Sequence, residues 1–311
     1  MIPRTTPVDW IVVRGRKLRD ILDSHRVWLE TGSGERADLS GATLTDIDLQ
    51  RVDLRKANLK GITLLDANLS LADLSGADLR SADLRQAKLV KTDFTHANLG
   101  QANFSHCWLA EANLSEAHME GTNFRVANMR DCRMYEARMR GCDFTGSNLN
   151  SAFLNHCVAV ECSFADTDLE KSNFTHARIQ IVRFTAAKLD NACFASAQLM
   201  NCDFRAAHVH YAKFPDANLS RSVFCRAVFI GCDFRGANLS AADFSDAVLA
   251  ESLFGDANLM ATDLRGTVLG GARELTSTQL TRARTSQTTI LPNGAKGPFM
   301  RGMGSEFLSR R

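Results

Sequence analysis

The chain has 311 residues, 45% apolar and 23% charged, with 37 Lys and Arg against 35 Asp and Glu for a formal net charge of +2. That balance fits a soluble globular protein and excludes a strongly basic nucleic-acid binder and a strongly acidic tail protein. The longest apolar runs, such as Trp10 to Val13, span a few residues, so neither a membrane helix nor a secretory signal peptide is expected, and a cytoplasmic location follows.

Residues 1–36 read as an N-terminal segment with a capping helix. Leu18, Ile21, Leu22, His25, Trp28 and Leu29 fall at three-and-four spacing, which predicts a helix over 16–30 with these side chains on one face. Thr31-Gly32-Ser33-Gly34 ends it, and Trp28 is expected to sit on the first coil of the repeats that follow.

From residue 37 to 271 the chain repeats every five residues. The central position runs from Leu39 to Leu269 in 47 units without a break in phase: 25 Leu, 15 Phe, 4 Met, Ile179, Val209 and the single exception Ala159. Two residues before it stands a small residue in 43 of the 47 units, the others being Ile47, Val52, Ile62 and Val182. Residues two apart on a strand point to the same side, so the small and the large residue face inward together, and the residue between them, often Asp or Asn, faces water. The last two positions of each unit favour Gly, Ser, Thr, Arg and Asp, as solvated corners do. A helical reading fails, because a five-residue period smears around a 3.6-residue helix instead of forming a stripe.

The phenylalanines set the length of a coil. Positions 104, 124, 144, 164, 184, 204, 224 and 244 are all Phe, whereas the series offset by ten begins Phe94, Leu114, Met134, Leu154. The true repeat is therefore twenty, four units of five. The predicted fold is all-β: a right-handed four-sided parallel β-helix of about twelve coils, roughly 56 Å long at ~4.8 Å per coil, with short helical caps at both ends. Ala159 should leave its coil under-filled, with a cavity or an inward bulge.

Residues 272–311 read as a short helix and a mobile basic tail. Thr276-Ser277-Thr278-Gln279 offers a capping box for a helix ending near Ala283, Pro292-Asn293-Gly294 makes a turn, and 295–311 are expected to be mobile.

Reactive residue types have structural readings. Seven cysteines (Cys107, Cys132, Cys142, Cys157, Cys162, Cys202, Cys232) occupy the small inward position as compact buried hydrophobes, and no Cys-x-x-Cys pair exists. His96, His156 and His176 share a corner of one wall, the last two on adjacent coils, and His208 and His210 flank Val209. A zinc site needs three or four converging ligands, and side chains on a flat wall diverge, so no metal and no other cofactor is expected. No phosphate-binding loop or dinucleotide fingerprint occurs, and a flat wall offers no concave site for catalysis, which points to no enzyme and no catalytic residues. A threonine ladder of the kind ice binding needs is also missing.

The units Ala77-Asp78-Leu79-Arg80-Ser81 and Ala237-Asn238-Leu239-Ser240-Ala241 resemble the motif of the pentapeptide-repeat family. The resemblance implies the four-sided β-helix and little about activity. It leaves a non-enzymatic protein-binding or scaffold module, with a DNA mimic that protects or inhibits a topoisomerase such as gyrase as the alternative suggested by some members. Mimicry demands charge: ~56 Å of duplex carries about 33 negatives. The repeat region has 28 acidic against 23 basic residues, and its four walls sum to +2, −3, −1 and −3. No direct nucleic-acid or membrane binding is expected, and the protein partner is unnamed. One candidate contact stands out, because Val228, Ile230, Val248 and Val268 lie on one wall of the final coils where polar residues prevail elsewhere. Two readings compete for this patch: the segment after Gly271 folds over it, or it mediates a homodimer, as the family resemblance implies for C-terminal segments.

Overall fold

The computed structural model describes residues 8–299 and divides into two compact units, Met1–Phe153 and Leu154–Arg311. The first opens with a 3-10 turn over Val8–Trp10 and a hairpin of β1 (Val12–Val13) and β2 (Arg16–Lys17), paired antiparallel through Arg14 and Gly15 at φ 50° and 79°. Helix α1 (Leu18–Thr31) follows and stops at Gly32, whose φ of 75° lets its N–H return to the Trp28 carbonyl. The helix buries Leu18, Ile21 and His25, and His25 Nδ1 accepts the Ala37 N–H at 3.0 Å, so this face covers the open start of the first coil. Trp28 is only half-buried and stacks on His25 with ring centroids 5.6 Å apart.

Coils begin at once. Asp38, Asn58, Asp78 and Asn98 bridge in parallel at steps of twenty residues, as do Asp53, Asp73 and Asp93 on another side. Each side follows one scheme: Leu39 N–H donates to Asn58 O at 2.8 Å, Asn58 N–H to Ala37 O at 2.9 Å, and Ala42 N–H closes the corner onto Leu39 O at 3.1 Å. The last residue of each five-residue unit has positive φ, which turns the chain through the corner. This unit holds about six coils, ending in the parallel pair β3 (His118–Glu120) and β4 (Arg138–Arg140).

The second unit repeats the scheme over about six more coils, with β5 (Val158–Val160), β6 (Arg178–Gln180) and β7 (Gln198–Met200) paired in parallel on one side and β8 (His208–His210) with β9 (Val228–Ile230) on another. Both units are thus built as a right-handed, four-sided parallel β-helix. Ala159 is fully buried and pairs in register with Ile179, so the strand through it carries no bulge.

Inside, Leu, Phe and Met at the central position are almost all less than 3% exposed. Polar residues at the small position mostly find a partner inside, Ser172 Oγ being an exception: Thr92 Oγ1 donates to Leu69 O at 2.8 Å, Ser222 Oγ to Leu199 O at 2.7 Å, and Cys232 Sγ to Val209 O at 3.2 Å. In each case the acceptor is the central residue's carbonyl one coil earlier, which explains why Ala, Thr, Ser and Cys interchange there.

Stacking continues past Gly271. Arg273 bridges Leu253, Arg284 bridges Asp263 and Ile290 bridges Val268. Between them α2 (Ser277–Arg282) carries the expected capping box, Gln279 N–H donating to Thr276 Oγ1 at 3.2 Å and Thr276 N–H to Gln279 Oε1 at 2.7 Å. Gln279 Nε2 also donates to the Phe254 and Ala257 carbonyls at 2.7 and 2.9 Å, pairing groups that the last coil would leave open. Within 295–299, the described part of the tail, Lys296 bridges Ile290 antiparallel and Phe299 N–H donates to Thr285 Oγ1 at 2.9 Å. The expectation for 300–311 lies outside the described residues.

Candidate functional site

Outward side chains are organised by the corner. At the middle position Asp or Asn Oδ1 accepts the N–H two residues on, as from Asp78 to Arg80 N (3.2 Å), Asn113 to Ser115 N (3.1 Å) and Asp233 to Arg235 N (3.1 Å). This local bond supplies a partner to an N–H at the bend, and it is the physical reason for the Asp and Asn preference.

Where the residue two on is Arg, its guanidinium also clamps the same carboxylate. Asp53–Arg55, Asp78–Arg80 and Asp83–Arg85 in the first unit, and Asp203–Arg205, Asp233–Arg235 and Asp263–Arg265 in the second, close to 2.5–2.7 Å. The neighbouring guanidinium holds the Asp78, Asp83, Asp233 and Asp263 carboxyls below the usual carboxylate range. Six carboxylates that a charge count scores as acidic surface are therefore each matched by their own arginine.

Seven of the nine cysteines are buried, Cys193 and Cys225 being partly covered. Burial pushes the Cys107, Cys202 and Cys232 thiols up to about 12 and raises Cys132 and Cys157 as well, the opposite of an activated nucleophile. Among the described residues no three His, Cys, Asp or Glu side chains are grouped to hold a metal ion, and no helix is long and apolar enough to cross a membrane. His210 Nδ1 lies 3.0 Å from Asp190 and His96 Nδ1 lies 3.4 Å from Glu116.

The sequence-selected patch forms one continuous ladder. Val228 bridges Val248, Val248 bridges Val268 and Val268 bridges Ile290, while Ile230 stands beside this column, paired with His210. All four selected residues are half-buried rather than fully exposed. Segment 272–299 meets this column edge to edge. It extends their wall through Ile290, a residue the sequence reading missed because the step from Val268 is 22 residues and breaks the phase. The most exposed apolar side chains lie elsewhere, among them Trp108 and Phe153 in the first unit and Ile181 and Met260 in the second.

A family model for pentapeptide repeats matches eight copies over 35–70, 67–105, 107–146, 137–180, 202–240 and 242–273, more than half of the chain. Among solved structures, HetL, a pentapeptide repeat protein involved in heterocyst differentiation regulation from Nostoc sp. strain PCC 7120, is 25% identical over 87% of this chain and 96% of its own, with a TM-score of 0.27. QnrB1, a plasmid-mediated fluoroquinolone resistance protein, is 20% identical over 62% of this chain and 81% of its own, with a TM-score of 0.35. Rfr23, from the cyanobacterium Cyanothece 51142, is 20% identical over 49% of this chain and 93% of its own, with a TM-score of 0.14. No curated protein matches.

Proposed function

Because the chain belongs to the pentapeptide-repeat family, we propose that it is a non-enzymatic scaffold that binds a protein partner through the outward walls of its coils. The observation that carries this reading is the Asp-x-Arg clamp and the Asx bond behind it, which tie outward side chains to their own corner in all six cases. Such walls are stiff and charge-compensated, and preordered side chains lose little entropy when a partner docks. The apolar column Val228, Val248, Val268 with Ile230 offers such a contact a continuous row of half-buried aliphatic side chains, and a second copy of the chain is one partner it suits.

The DNA-mimic alternative draws on the likeness to a fluoroquinolone resistance protein. A mimic must present carboxylates as unpaired charge along one face, and clamps on Asp53, Asp83, Asp203, Asp233 and Asp263 work against that. Affinity capture on the untagged, immobilised protein, compared with the Ile230→Asp variant, tests the scaffold: a partner retained by wild type and lost from the variant supports it. Reproducible turnover of a small molecule would overturn it. Protection of gyrase from a quinolone in a supercoiling assay would replace it with the mimic.

A further inference from the structure

His156 and His176 occupy the same corner one coil apart, both at φ of about 58°, and their rings face each other with centroids 5.1 Å apart and planes inclined by 30°. Side chains on a flat wall should splay, but a shared left-handed backbone aims both Cα–Cβ bonds the same way, and parallel stacking fixes their spacing near one coil step. Both rings are exposed.

The geometry points to a two-imidazole site for a divalent transition metal, Cu2+ before Ni2+ or Zn2+, completed by water. Metal–imidazole bonds of ~2.0–2.1 Å at right or tetrahedral angles put the two nitrogens about 2.9–3.4 Å apart. Two facing rings with centroids 5.1 Å apart and planes inclined by 30° reach that separation when both side chains rotate to turn one nitrogen each toward a shared ion. Binding exchanges two waters of the aquo ion for two neutral imidazole nitrogens, with no change in oxidation state, and copper leads because divalent affinities at nitrogen sites peak there. Two ligands leave further positions open, so the site suits capture of an ion at the surface.

Its position adds a structural consequence. His156 immediately precedes, and His176 closes, the coil 157–176 that carries Ala159 where other coils carry a large residue. A metal held by both would staple this coil shut. Because the ligands are twenty residues apart, only the folded chain presents them together, so the ion should stabilise the fold.

The test is titration of the tag-free full chain with Cu2+ by calorimetry, with nitrogen couplings read by electron paramagnetic resonance and melting followed in parallel. Wild type should take up one ion at this site with two nitrogen donors, and its melting temperature should rise. His176→Asn should weaken that binding by at least tenfold and abolish the rise, while melting normally without metal, since Asn191 and Asn201 already occupy equivalent corners at φ 59° and 56°. His208→Asn, which alters a histidine on another wall, should bind as wild type does. Equal binding by wild type and His176→Asn, loss of binding in His208→Asn, or no saturable uptake would each overturn the assignment.

Discussion

Phe184 lies flat on Phe204, with ring centroids 4.7 Å apart and planes inclined by 11°, and both meet Phe194 edge-on from the facing ladder at 6.1 and 6.5 Å. Stacking along a wall and edge contact across it are the two favourable aromatic geometries, and the four-sided coil supplies both at once. Phe184→Ala removes a fully buried ring that touches four others, so it should cost ~3–5 kcal/mol, as large core truncations do. Equilibrium denaturation reads this directly, and a loss below about 0.5 kcal/mol, the range of surface substitutions, would contradict the inward placement.

The clamp at Asp233 makes a pH prediction. Arg235 holds its carboxyl below the usual range. The pair therefore contributes stability that is complete above the ordinary carboxylate pKa of about 3.9 and is lost as pH falls through the depressed value. Asp233→Asn keeps an Oδ1 for the Arg235 N–H but has no charge to lose. The stability gap between pH 7 and pH 3 in urea should be smaller for this variant than for wild type, and an equal gap would show that the clamp is too screened to matter.

The coil was legible because 47 units keep one phase, and the phenylalanine spacing distinguished twenty residues from ten. The α2 capping box was legible because Thr276 and Gln279 carry their mechanism in their spacing. Features that depend on three dimensions were not. The hairpin at Arg14 and Gly15 spans strands of two residues each, too short for a period to register. Ile290 joins the valine ladder only after α2 has replaced a strand, so counting in twenties passes over it. His156 and His176 were legible as corner neighbours on adjacent coils, but the approach of their rings depends on the positive φ of both corners, which no residue pattern carries.

Ile181 sits in a corner at φ 55°, where a β-branched side chain crowds its own backbone, and it is 51% exposed, so little packing compensates. Ile181→Asn should therefore stabilise the chain by ~0.5–1 kcal/mol, a gain of the size found for relieved local strain at surface sites. Chemical denaturation of the variant checks it. A destabilised variant would mean that the exposed isoleucine packs more tightly than its exposure indicates.

His25 links the N-terminal cap to the coils through the Ala37 N–H, and burial lowers its pKa from the usual 6.5. The neutral ring is the form that packs and accepts this bond. Stability from this group is present above pH 6.5 and is lost as pH falls from there through the depressed folded value. Between pH 7.5 and pH 5.5 amide exchange at Ala37 should slow by less than the roughly hundredfold fall of base-catalysed intrinsic exchange, because protonation of His25 favours opening by up to about tenfold. Slowing by the full intrinsic factor would show that His25 does not gate the cap.

Val248 stands in the middle of the apolar column, between Val228 and Val268, with Ile230 beside it and Ile290 at its end. A charge placed there has no partner in the column, whose outward neighbours are aliphatic, so in an assembled state it would meet apolar surface and remain unpaired, at several kcal/mol. If a second copy docks on this wall, wild type should scatter light with the mass of two chains at micromolar concentration, and Ile230→Asp or Val248→Asp should scatter as one chain with an unchanged melting profile. Half-burial of these residues within the single chain predicts that the variants fold, because the substituted side chains keep access to water in the monomer. A wild-type mass of one chain across the concentration range, unchanged in Ile230→Asp, would remove self-association and leave the column to a different protein partner.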